Sequence, residues 1–119
     1  MNPITLIVDK QLKAYNNLDF ETFASCYHEN IISYDIESCE LINDMCGKSF
    51  FSYYKEKFKK NPEIHCEVTE RIVHDNFVVD KEYITVCKGK NHREMVIYMM
   101  KDYLITKMWF SKEVVEENQ

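Results

Sequence analysis

Between Pro3 and Asn16 the apolar residues Ile4, Val8, Leu12 and Tyr15 recur every three to four positions, with charged and amide residues between them. That period predicts an amphipathic first helix, with Asn2 as its cap and Pro3 in its first turn, where a missing N–H costs nothing. Asp19 is a good cap for a second, short helix: Leu18 and Phe23 form a hydrophobic staple around it, and Phe20, Phe23 and Tyr27 line one face. Residues 31–36 and 39–43 read as two short strands. Gly47 introduces a third helix over roughly 48–60, with Phe51, Tyr54 and Phe58 on one stripe and Lys55, Lys57, Lys59 and Lys60 mostly off it, until Asn61 and Pro62 stop it.

From Ile64 the period changes from helical to alternating. "IHCEVTERIVHDNFVVDKEYITVC" divides at Asp75–Asn76 into two long strands of a hairpin, whose turn residues tolerate positive φ. "KGKN" (88–91) turns into a third strand, "REMVIYMM", and Lys101–Asp102–Tyr103 joins that to a fourth, "LITKMWF". The polar tail "SKEVVEENQ" is expected to fray. The pattern predicts an α+β fold, with three helices against one face of an antiparallel sheet.

Composition narrows the function classes. The 119 residues suit a single domain, 1–119, and only two Gly and two Pro leave no disordered linker. A net charge of −5 excludes a sequence-independent grip on nucleic acid and disfavours anionic membrane surfaces, both of which need a basic face. The start "MNPITLIVDK" lacks a basic leader region, and Asp9 and Lys10 break its apolar run, so a cytoplasmic protein is expected. Five cysteines, an odd number with no C-x-x-C pair, read as reduced packing thiols. No phosphate loop, nucleophile elbow or metal-ligand spacing occurs, and no cofactor or metal is expected.

One stretch raises a chemical question. In "NIISYDIES" the carboxylate of Asp35 interrupts a strand otherwise built for a core, and an ionisable group there must be paired, solvated or used. The segments "VDKQLKAYNNLDFETFASCYHENIISYDI", "GKSFFSYYKEKF", "IHCEVTERIVHDNFVVDKE" and "VIYMMKDYLITKMWF" together resemble the nuclear transport factor 2-like superfamily, in its SnoaL-like and steroid-isomerase-like branch. The resemblance implies a cone: a strongly bent antiparallel sheet wrapped around helices, with an internal pocket and often a homodimer formed sheet to sheet. It also implies that Asp35 matches the aspartate with which ketosteroid isomerases remove a proton beside a ketone, a role suited to a carboxylate in an apolar pocket. The family's oxyanion donors fall at Gln11 and near Val96, so both acidic donors are missing and isomerase activity is not implied.

Other polar groups have two readings each. Alternation puts His65, Glu67, Thr69 and Arg71 on one face of their strand, and Asp80 and Glu82 on the partner strand complete a cluster that is either a pocket wall for a polar ligand group or a cross-strand ion-pair ladder. Tyr15, Tyr34, Tyr98 and Trp109, each an apolar ring with a polar tip, are candidates for the pocket wall or for the core. Met95, Met99, Met100 and Met108 fill the core or line an adaptable pocket. His28 reads as a charge at the end of the second helix, and His74 and His92 as solvated residues beside turns. The expected function is binding of a small, largely apolar molecule, with proton transfer or hydration of a carbonyl compound by Asp35 as its reaction. The alternatives are a non-catalytic ligand-binding module and a dimeric interaction domain with a filled cone.

Overall fold

The computed structural model describes residues 3–87 and 89–117. Helix α1 (Pro3–Asn16) buries Val8, Gln11, Ala14 and Tyr15 on one face, and its expected cap Asn2 lies outside the described residues. Asp19 caps α2 (Phe20–Ser25) by accepting from the Thr22 amide at 3.2 Å. The short helix stops at Ser25, so Tyr27, expected on its apolar face, instead begins strand β1 (Tyr27–Asp35). His28 therefore lies in a strand, where its Nδ1 accepts from the Asn30 amide, and not at a helix end.

The second short strand expected at 39–43 does not form. Leu41 makes one isolated bridge to Tyr34, and a 3-10 turn (Asn43–Met45) follows. Gly47 then caps α3 (Lys48–Lys60) at φ 53° and ψ −133°, a conformation open to glycine and strained for residues with a Cβ. Its amide donates to the Ile31 carbonyl at 2.8 Å, which ties the start of α3 to β1.

The long strands are β2 (His65–His74), β3 (Phe77–Cys87), β4 (Lys90–Lys101) and β5 (Leu104–Phe110), and they pair antiparallel in succession. β4 starts at Lys90, earlier than expected, which leaves a shorter connection after β3, and of it Lys88 lies outside the described residues. Asp75 takes φ 54° in the first hairpin, and Asp102 and Tyr103 take φ 53° and 65° in the last. Two features depart from the expected all-antiparallel sheet and frayed tail. β1 pairs in parallel with β5, and Val114–Glu117 form a sixth strand, β6, against Lys90–Arg93. β4 thus changes partner along its length, from β6 at its start to β5 at its end, and this bends the sheet into an open cone of order β1-β5-β4-β3-β2. The core inside it is aromatic. Phe23 is buried with its ring 4.9 Å from Tyr27 and Tyr54 and 5.2 Å from Phe58. No helix among the described residues is long and apolar enough to cross a membrane.

Candidate functional site

The inward face of β3 alternates Val78, Asp80, Glu82 and Ile84, all buried, and that of β4 presents Val96 and Tyr98. One turn of α1 separates Gln11 from Tyr15, so both reach the same interior. There the Tyr27 hydroxyl donates to Gln11 Oε1 at 2.7 Å, and Gln11 Nε2 donates to the Val8 carbonyl at 3.0 Å and to Tyr98 Oη at 3.3 Å. Tyr98 in turn donates to Glu82 Oε2 at 3.1 Å. The relay runs beside a cavity of about 30 Å³ lined by Gln11, Tyr15, Tyr27, Glu82, Glu94 and Tyr98 with apolar neighbours. That volume suits a water molecule or two, not a ring-sized ligand.

Burial sets the electrostatics. Glu82 is 5% exposed, and burial pushes its carboxyl up to about 8, with the charge of Glu94 adding and the hydrogen bond from Tyr98 opposing. Burial likewise raises Glu94 to about 7, with Glu113 adding and Lys57 opposing. Both carboxyls change protonation near neutral pH, a property that clusters at sites of acid–base chemistry. Desolvation raises the Tyr98 and Tyr27 hydroxyls and the Cys66 thiol, so these act as neutral hydrogen-bonding groups. At the mouth, the Lys57 ammonium lies 5.9 Å from the Tyr15 ring centroid and 5.6 Å from those of Tyr53 and Tyr54.

Of the residues singled out in the sequence, Gln11, Tyr15, Glu82 and Tyr98 meet in this chamber. Asp35 lies elsewhere, at the end of β1, and is not among the cavity's lining residues. Its Oδ1 accepts from the amides of Glu37 and Ser38 at 2.8 and 3.0 Å, and its own amide donates to the Glu40 carbonyl, so the carboxylate closes a tight turn. Tyr34 and Trp109 stack on each other at 5.5 Å on the outer sheet face, opposite to Ser33, Met108 and Phe110. His65 and Glu67 are exposed. Asp80 is fully buried and takes a bidentate pair from Arg71, Nε to Oδ1 at 2.6 Å and Nη2 to Oδ2 at 2.9 Å, while Arg71 Nη1 reaches Asp9 of α1 at 2.6 Å. That part of the polar cluster is an ion-pair ladder joining the β2–β3 hairpin to α1. His92 is buried in β4 and not solvated, because β6 covers the strand there.

No protein-family profile matches the sequence, and no curated protein is significantly similar to it. Solved structures are similar. An uncharacterized cystatin-fold protein from Novosphingobium aromaticivorans superposes with a TM-score of 0.79 at 16% identity, over 94% of this chain and 99% of that one. A candidate ketosteroid isomerase from Kribbella flavida gives 0.76 at 15% identity, over 98% and 83%. An NTF2-like protein of unknown function from Cytophaga hutchinsonii gives 0.71 at 13% identity, over 95% and 89%. The chain has the nuclear transport factor 2-like fold. Identities this low fix the architecture and leave the chemistry to the residues.

Within this nuclear transport factor 2-like cone, sequence reasoning missed Tyr27, Lys57 and Glu94. The helical period places Tyr27 on an apolar helix face and Lys57 mostly off the apolar stripe of the third helix. Glu94 carried a usable signal: it shares the alternation of Val96 and Tyr98, so a core-facing β4 had to bring it inward.

Proposed function

We propose that the cone is an acid–base site for a small, largely apolar carbonyl compound, with Glu82 carrying the proton. The observation that supports this reading is a nearly buried carboxyl that receives a hydrogen bond from Tyr98 beside a water-sized cavity. A carboxyl titrating near 8 is close to the operating pH, where general acid–base catalysis works best. In its ionised form Glu82 takes a proton from the carbon beside the carbonyl, or from a water adding to it, and then returns that proton. Tyr98 turns its O–H from Glu82 to the substrate oxygen, and Gln11 Nε2 supplies a second donor, so the missing acidic donors are replaced by neutral ones. A ring-sized substrate enters past the half-exposed Lys57 of α3, which requires that side chain to swing outward and the cavity of about 30 Å³ to widen.

The same reading takes the protein as a cytoplasmic homodimer. Its five cysteines are free thiols, which suits a reducing compartment, and apolar groups such as Trp109 and Tyr34 lie on the outer sheet face. A second reading, a non-catalytic module with a filled cone, is favoured by the cavity's volume of about 30 Å³. Solvent-deuterium exchange at the α-carbons of a panel of cyclic ketones, followed by NMR, separates them. The acid–base reading expects exchange with the native protein and with Asp35→Asn, and none with Glu82→Gln. Exchange that survives Glu82→Gln, or is lost in Asp35→Asn, overturns the role given to Glu82, and no exchange with any ketone favours the filled module.

A further inference from the structure

We infer that His92, Glu94 and Glu113 form a site for a divalent transition-metal ion, zinc above all, at the rim of the cone. The site does not depend on the proton-transfer reading. His92 and Glu94 are two residues apart in β4 and so point to the same side of the strand. Arg93 pairs with Val114 at the start of β6, which leaves Glu113 one position before that pair, level with Glu94. One donor atom from each of the three residues lies within 4.8 Å of the other two.

Donors bound at about 2.1 Å in a tetrahedron are about 3.4 Å apart, so small side-chain rotations close the set. His92 Nε2 and Glu113 Oε1 are already 3.6 Å apart. That distance is too long for a hydrogen bond, and His92 Nε2 is buried with no hydrogen-bond partner. An orphaned imidazole nitrogen facing two carboxylates is the donor set of a nitrogen- and oxygen-binding metal. Imidazole selects zinc and its transition-metal neighbours over magnesium and calcium, which prefer oxygen ligands alone. Three protein ligands leave a fourth position for water or a small ligand, as in zinc sites that do chemistry. Glu94 lines both the interior cavity and a groove of about 410 Å³.

The test is calorimetric titration of untagged, chelator-treated protein with zinc chloride, with a melting curve at each ratio. One zinc per chain at micromolar affinity or tighter is expected, with a rise in melting temperature. Glu113 is half-exposed, so Glu113→Gln leaves the fold intact, and it should weaken binding by about tenfold or more. His92→Gln should do the same, whereas His65→Gln, in an exposed strand position, should bind as the native chain. Cobalt in place of zinc should give visible bands of a four- or five-coordinate nitrogen and oxygen site. Zinc binding unaffected by Glu113→Gln, less than one site per chain, or a thiolate charge-transfer band from one of the five cysteines overturns the assignment.

Discussion

Replacing Glu82 by Gln should remove much of the protein's loss of stability between pH 5 and pH 7. In the folded chain burial holds this carboxyl at about 8, against an ordinary value of 4.5. The unfolded chain therefore releases the proton as pH rises through 4.5, while the folded chain keeps it until about 8. A raised carboxyl pKa thus costs nothing below the unfolded value and costs progressively more above it. Each pH unit between those two values is worth about 1.4 kcal/mol, so the two units from pH 5 to pH 7 should cost the native protein about 3 kcal/mol through Glu82. For a chain of this size that is about 12 °C in melting temperature. Gln keeps the shape and an oxygen that can accept from Tyr98, but it has no proton to release. The assay is a set of thermal melts by circular dichroism at pH 5, 6, 7 and 8 for native protein and Glu82→Gln. Glu94 adds a slope of the same sign, so the variant flattens but does not level. Parallel curves for the two proteins would refute the account of a buried, proton-holding Glu82.

Four further outcomes follow from other parts of the cone. Arg71→Ala leaves the carboxylate of Asp80 buried without its partner and should cost about 3 kcal/mol in urea unfolding, while Arg71→Ala with Asp80→Ala should cost less than Arg71→Ala alone. Tyr103→Gly, at φ 65° in the last hairpin turn and largely exposed, should stabilise by about 0.5–1 kcal/mol, read as a higher urea midpoint at unchanged slope. Asp35→Ala removes two amide acceptor contacts at the turn after β1 and should lower stability by about 1 kcal/mol at pH 7. For the proposed sheet-to-sheet dimer, equilibrium sedimentation at micromolar concentration should give twice the chain mass, and Trp109→Lys should return the monomer.

The helices α1 and α3 and the four long strands were legible because their periods, 3.6 and 2, are sustained over ten or more residues. The stretch from Phe23 to Ile31 was not, because Tyr27 is buried whether it lies four residues along a helix from Phe23 or at the head of a strand. The missing strand at 39–43 has a local cause: a turn fastened by the Asp35 side chain, which alternation alone does not reveal. β6 was hidden in a charged tail, since its two valines remain exposed and its stability comes from the free edge of β4 and not from burial. The chamber was half legible. Gln11, Glu82 and Tyr98 are polar residues at inward positions of otherwise apolar elements, whereas the choice of Asp35 rested on family resemblance and on a strand pattern blind to the turn that follows it.

The parallel pairing of β1 with β5 has a kinetic consequence. Strands β2 to β5 follow one another through short connections and can zip as hairpins, but parallel neighbours cannot be joined that way, and β1 meets its partner only after most of the chain has been ordered between them. Trp109 is the sole tryptophan, and its ring stacks on Tyr34 across that seam. In stopped-flow refolding its emission therefore dates the docking of β1, the most non-local contact in the sheet, while far-ultraviolet dichroism follows the hairpins that come before it.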